Sequence, residues 1–208
     1  MTGNLIIVSA PSGAGKTTLV TEALRRVDNL RASVSYTSRA PREGEINGEH
    51  YHFVTEAEFR AMIARDEFLE YAEVHGRLYG TGRAAVEQML AAGTDVILTI
   101  DVQGADNARR LFPEAVGIFI MPPTYEALIA RLQLRGANAL ADQELRLRNA
   151  RSELEQHHKF DYLVVNDDLE KAARELCSII IAERCRKKRL SGLAIRILDT
   201  FGKSVGAP

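Results

Sequence analysis

A chain of 208 residues is long enough for one substantial core and a small inserted lobe. With 46% apolar residues, 26% charged residues and a net charge of -1, it reads as an ordinary soluble globular protein. That balance argues against non-specific nucleic-acid binding and makes any basic site local. No apolar run approaches the ~20 residues of a membrane span, and Met1-Thr2-Gly3-Asn4 runs straight into an apolar stretch, which predicts a cytoplasmic protein without a signal peptide or membrane partner.

Leu5 to Val8 predicts a buried strand of a parallel sheet. Ala10-Pro11-Ser12-Gly13-Ala14-Gly15-Lys16-Thr17-Thr18 follows, and Thr18 to Val27 is apolar at helical spacing. Strand, glycine loop and helix together are the context of a phosphate loop. Gly13 and Gly15 let successive N–H groups turn inward as an anion nest, and the helix N-terminus adds partial positive charge at the same point. Lys16 can reach outer phosphates, and the Thr17 hydroxyl can ligate Mg2+. The usual first glycine of the motif is Ala10, a position where a small residue suffices.

Farther along, Arg31–Ser38 reads as a strand. Residues 38–48 read as a loop with a hairpin signal at Asn47-Gly48. His50–Val54 alternates as a strand, Thr55 opens a helix with a capping box to Glu58, and Phe68–His75 is a further strand before a turn at Arg77–Gly82. A helix over Ala84–Ala92 closes at Gly93. Then strand and helix alternate: strand 95–100, helix 104–112, strand 115–121, helices 124–135 and 142–158, strand 161–165, and one long helix over 169–189. The pattern predicts an α/β protein with a parallel sheet near 4–9, 95–100, 115–121 and 161–165 and helices on both faces. Residues 1–32 and 83–190 form the expected core domain, 33–82 an inserted lobe, and 191–208 a tail without an assigned role. Cys177 and Cys185 lie roughly 80° apart around that long helix, which suits neither a disulfide nor a metal pair. The basic run from Arg184 to Arg189 reads as the solvated end of a helix.

Two arginine groups invite a reading as phosphate sites. Arg39 and Arg42 can fork onto a phosphate, with Ser35 and Tyr51 as hydroxyl donors; from composition alone, though, the arginines of a solvated loop are the better reading. Arg131, Arg135 and Arg146 suit a lid that brings cations onto phosphates, whereas Arg148 and Arg151 fit a charged helical surface.

Several stretches together carry a family likeness. They are Val8 to Lys16; Ser33-Val34-Ser35 through Arg39-x-Pro41-Arg42; Gly44-Glu45-x-Asn47-Gly48-Glu49-His50-Tyr51; Phe68 to Ala72; Tyr79-Gly80-Thr81; Ile100 to Gly104; Arg131-Leu132-x-x-Arg135-Gly136; and Val165 to Asp168. Over about residues 3–188 the chain resembles the bacterial guanylate kinases. The resemblance implies a P-loop NTPase fold with an inserted GMP-binding lobe over 33–82 and a helical lid within about 124–158, and transfer of a phosphoryl group from ATP to GMP with Mg2+. It implies that Arg39, Arg42, Tyr51 and Tyr79 hold the GMP phosphate and that Ser35, Glu70, Thr81 and Asp101, beside Gly80, face the guanine. ATP would lie on residues 10–18 with Arg131, and with Asn166 near the adenine. Lys16, Arg39, Arg135 and Arg146 would act at the transferring group. Thr99 stands where the family usually carries a carboxylate near the metal, Gly82 where it carries serine, and Ala137 to Asp142 lacks its usual acidic pair. A kinase of another phosphorylated acceptor, or a binding module with weakened catalysis, are the competing readings.

Overall fold

The computed structural model describes residues 2–74, 76–134 and 150–204. Its centre is a parallel sheet built from runs of β-branched and aliphatic residues. The strands are β1 (Leu5–Ser9), β2 (Leu30–Ala32), β7 (Asp95–Thr99), β8 (Val116–Met121) and β9 (Tyr162–Val165), in the order β2-β7-β1-β8-β9. All pairings are parallel, and β1 lies between β7 (Ile6 beside Ile97) and β8 (Ile6 beside Val116). A strand flanked on both sides and covered on both faces has no polar face, so β1 is apolar until Ser9.

Helices cover both faces. On one side α1 (Lys16–Arg26) and α6 (Leu169–Arg184) bury Leu19, Val20, Ala23, Leu176 and Ile180 against Ile6, Val8 and Ile118. On the other, α3 (Arg83–Ala91) and α4 (Val102–Leu111) bury Val86, Leu90, Ala105 and Ala108 against Leu5, Ile7 and Leu98. Each fully buried aliphatic side chain contributes about 1.5–3 kcal/mol of transfer free energy, so this two-sided core fixes the strand order and the loops that follow it.

A second sheet carries β3 (Tyr36–Thr37), β4 (His52–Phe53), β5 (Phe68–Val74) and β6 (Arg77–Gly82) in the order β4-β3-β6-β5. Helix α2 (Glu56–Ala64) closes it. Thr55 Oγ1 accepts from Glu58 N–H while the Glu58 carboxylate takes the Thr55 N–H, the expected capping box. Its core is small: Phe59, Phe68 and Leu78, with the two phenyl rings stacked at 4.4 Å.

Five features differ from the sequence reading. Arg31–Ser38 is two strands, because Ser33 to Ser35 carries the chain from the edge of one sheet into the other; β2 therefore adds a fifth strand to the core sheet. Arg77–Gly82 is not a turn but β6, paired antiparallel to β5 and β3. Its glycines serve packing: a Cβ on Gly80 would meet Phe68 at 2.9 Å and Phe59 at 3.0 Å, and one on Gly82 would meet Tyr36 at 2.9 Å. Asn47-Gly48 makes no hairpin, since β3 and β4 run parallel; Gly48, at φ 84°, turns the connection and donates its N–H to the Tyr51 carbonyl. The long helix ends at Cys185, and a new helix, α7 (Lys187–Ser204), runs through the tail. The basic run is fastened rather than merely solvated. Arg184 bonds Asp95 and the Asp28 carbonyl, Arg186 bonds Glu183, Lys188 pairs with Glu114, and Arg189 donates to the Thr2 carbonyl.

The predicted helix at 124–135 is α5 (Tyr125–Leu134). The part of the predicted 142–158 helix that is described is helical at 150–155, with a 3-10 turn at Gln156–Lys159. Arg135, Arg146, Arg148 and the 137–142 segment lie outside the described residues.

Candidate active site

The loop after β1 emerges at the carboxyl end of the sheet, where open α/β sheets hold their ligands. Gly13 and Gly15 take φ of 90° and 94°, values that L side chains rarely adopt. Ala14 N–H donates to the Pro11 carbonyl, and Leu19 N–H to that of Gly15, so the turn passes directly into α1. Gly15 caps that helix without a side chain of its own. Thr17 and Thr18 stand exposed in the first turn, and Ala10 is buried under it.

Asn166, at the end of β9, supports the loop from beneath. Its amide donates to the Ala14 carbonyl at 2.8 Å, and a Cβ on Gly15 would collide with that amide. Arg131 donates to the Asn166 carbonyl at 2.9 Å, while its buried Nη1 has no hydrogen-bond partner among the described residues. A buried guanidinium nitrogen left unpaired beside an anion nest is what a phosphate oxygen would satisfy.

Lys16 Nζ donates to the Ile100 carbonyl at 3.1 Å. Burial pulls its pKa below 10.5, and Asp101, Glu153 and Glu70 oppose that pull. Asp101 begins α4, its carboxylate accepting the Gly104 N–H at 2.7 Å. Glu70 is buried, at 8% exposure, so it is not a solvent-facing strand residue. Its Oε1 accepts from the Thr81 hydroxyl at 2.6 Å across the β5–β6 pair. Burial, reinforced by Asp101, raises the Glu70 pKa above 4.5, against the Thr81 hydrogen bonds and Lys16. Glu70, Thr81 and Asp101 thus meet in one pocket. Gly104 completes it: a Cβ there would come within 2.9 Å of Glu70 Oε2 and 3.3 Å of Asp101 Oδ1.

The second cluster lies in the smaller sheet. Arg39 sits 5.1 Å from the Tyr51 ring and 5.5 Å from that of Phe53, and Tyr51 meets Tyr79 edge-on at 6.1 Å. Both terminal nitrogens of Arg39 are held by Glu45 at 2.6 Å. That fork is therefore already occupied in this conformation. The Arg39 guanidinium, with the Arg42 N–H, holds the Glu45 carboxyl down at about 2. Arg42 itself is exposed beside this pair, and Ser35 is partly buried, its carbonyl accepting from His52. Gly80 is buried in β6 between Tyr79 and Thr81.

Three residues of this site escaped the functional reading. Gly104 and Glu45 stood inside stretches quoted for the family likeness, but their roles are steric and pairwise, and no spacing rule shows them. Glu153 carries no motif signal at all. Thr99, at the exposed end of β7, leaves Asp101 as the carboxylate following that strand.

The parallel sheet, the nest with its lysine and the buried carboxylate pocket on a second sheet define a phosphate-loop phosphotransferase of the nucleotide-kinase class. A model of the guanylate kinase family matches residues 2–183. The chain is 52% identical over 197 residues to the guanylate kinase of Neisseria gonorrhoeae, covering 95% of this chain and 96% of that one. It is 51% identical over 182 residues to that of Dechloromonas aromatica, covering 88% and 90%. The crystal structure of guanylate kinase from Anaplasma phagocytophilum superposes with a TM-score of 0.71 at 33% identity, over 90% of this chain and 89% of that one. The chain belongs to the guanylate kinase family.

Proposed function

We propose a division of labour in which the core sheet handles ATP and the smaller sheet handles GMP. The enzyme is an ATP:GMP phosphotransferase: an oxygen of the GMP phosphate forms a bond to the γ-phosphorus of ATP as the bond to the β–γ bridging oxygen breaks, giving GDP and ADP. In this reading the 10–18 loop and Lys16 bind the ATP phosphates, with Arg131 at their edge and Asn166 as the loop's support. Arg39, Arg42, Tyr51 and Tyr79 take the GMP phosphate. Glu70, Thr81, Asp101 and Ser35 surround the guanine. Arg135 and Arg146 are assigned to the transferring group on the family likeness alone. Such chemistry needs little covalent participation from the protein; positioning and neutralisation of two polyanions supply the rate.

The donor set suits Mg2+ carried by the nucleotide. Thr17 offers a hydroxyl beside Lys16 in the exposed first turn of α1, and no group of three or more His, Cys, Asp or Glu among the described residues would cage a metal. Mg2+ favours substrate phosphates and retained waters over an all-protein cage. When bound with ATP, it neutralises charge on the phosphate oxygens. The substrates themselves support a cytoplasmic location, and no helix among the described residues is long and apolar enough to cross a membrane.

The observation that carries this reading is the close approach of Glu70, on the second sheet, to Asp101 and Gly104, one strand away from the phosphate loop. It supports assigning a reader of guanine donors and a holder of phosphates to neighbouring positions. A coupled ADP-release assay across nucleoside monophosphates tests it: GMP is preferred, IMP is intermediate and AMP is rejected. Equal turnover of AMP and GMP would contradict the assignment of this pocket.

A further inference from the structure

Arg39 is held from several directions at once. The rings of Tyr51 and Phe53 lie 5.1 and 5.5 Å from its guanidinium carbon and seat the group. Glu45 then fixes its rotation. Glu45 Oε2 accepts from Nη1 and Oε1 from Nη2, each at 2.6 Å, in an end-on fork. Glu45 is itself locked: its Oε2 accepts the Arg42 N–H at 2.7 Å, and its own N–H donates to the Arg42 carbonyl at 3.1 Å. Gly44, at φ 82°, makes that turn possible. The Arg39 and Glu45 side chains are only 12% and 18% exposed, so water competes little for the pair.

A guanidinium has five N–H donors in one fixed plane. Nη1 gives one to Glu45 and the other to the Ala40 carbonyl at 3.0 Å. Nη2 gives one to Glu45. That leaves the Nε–H and the second Nη2–H, which run parallel along a single edge. This edge is a second bidentate fork, and it matches two oxygens of a phosphate.

We infer that Glu45 is a positioning residue for the acceptor phosphate: it grips one edge of Arg39, presents the Nε–Nη2 edge to the phosphate, and stays in place when GMP binds. The inference rests on the reading of Arg39 as a GMP phosphate ligand. An untethered arginine would lose the freedom of its long side chain on binding; this one has lost it beforehand. The carboxylate offsets part of the positive charge. It and the phosphate nevertheless take different edges of the cation, so they do not compete for the same donors. A latch that had to open before GMP entered would need the two anions to share an edge.

Calorimetric titration of GMP, and of guanosine, which has the same base and no phosphate, tests this in wild type, Glu45→Gln, Arg39→Ala and the double variant. Glu45→Gln should weaken GMP binding roughly ten-fold, the scale of one misplaced charge-assisted contact, and leave guanosine binding at its wild-type value. In the Arg39→Ala background, Glu45→Gln should cost GMP nothing further, because no guanidinium is left to position. Tighter GMP binding in Glu45→Gln would make Glu45 a latch and overturn the proposal. Unchanged GMP binding would overturn it as well. Equal weakening of GMP and guanosine, or losses that simply add in the double variant, would make Glu45 a general support of the lobe and overturn it too. Arg39→Ala that binds GMP like wild type would instead refute Arg39 as a phosphate ligand, and the inference would fall with it.

Discussion

Under the proposed division of labour, the two sheets solve the same problem, holding a phosphate-bearing nucleotide, by different physics. In the core sheet the anion site is made of backbone: the turn at Gly13 and Gly15 and the start of α1 aim N–H groups at one point, and Lys16 and Arg131 add charge. In the smaller sheet the site is made of side chains, with Arg39 seated on Tyr51 and Phe53 and held by Glu45. The core sheet rests on two extended apolar faces, the smaller sheet on three buried side chains. A backbone site on a large core is rigid and reads charge alone. A side-chain site on a small core can carry specificity, as proposed for the hydrogen-bonded Glu70–Thr81 pair, at the cost of stability.

The sharpest way to separate the two is Lys16→Ala. It removes the charge assigned to ATP, so turnover should fall by about three orders of magnitude, within the range for loss of one electrostatic contact at a transferring phosphoryl group. GMP affinity, measured by titration without ATP, should stay near wild type. A matching loss of GMP binding would show that the division of labour is false.

The same contrast explains what the sequence made legible. Core strands announce themselves because each is an apolar run buried on both sides; β1, β7, β8 and β9 lie within a residue of their expected bounds. The phosphate loop is legible because its chemistry needs glycine, lysine and threonine at fixed spacing. The smaller sheet hides. Strands β3 and β4 have two residues each, too few for any periodicity, and they are held by Tyr36 stacking on His52 at 4.6 Å. Gly80 and Gly82 read as a turn, although they are close-packing positions under Phe59, Phe68 and Tyr36.

Breaking the smaller core should spare the larger one. Phe59→Ala empties the centre of the Phe59–Phe68–Leu78 cluster, at about 3–5 kcal/mol. Hydrogen exchange should show protection lost over β3 to β6 and kept in β1, β7 and β8. Uniform loss across both sheets would mean that they unfold as one unit.

A smaller and graded effect should appear with pH. The Glu70 pKa is raised in the fold, so the stability held by its neutral form is full below 4.5 and lost as pH rises through the raised value. Guanine needs the ionised form, so GMP binding should tighten as pH rises through the same window, by at most about ten-fold per pH unit, and release a proton. Titration in buffers of different ionisation enthalpy checks this. GMP affinity that is flat with pH would mean that Glu70 does not titrate in the binding step.

The most direct test of the central claim is the ratio of kcat/KM for GMP over IMP in wild type and in Glu70→Gln. Guanine offers two adjacent donors, N1–H and the 2-amino group, to a carboxylate with two acceptor oxygens; IMP lacks the amino group. A site built on such hydrogen bonds rejects the wrong partner strongly because its buried group is left unpaired. Glu70→Gln keeps the shape and removes one acceptor, so GMP activity should fall further than IMP activity and the ratio should collapse toward one. An unchanged ratio would contradict the claim that Glu70, on the smaller sheet, reads the guanine.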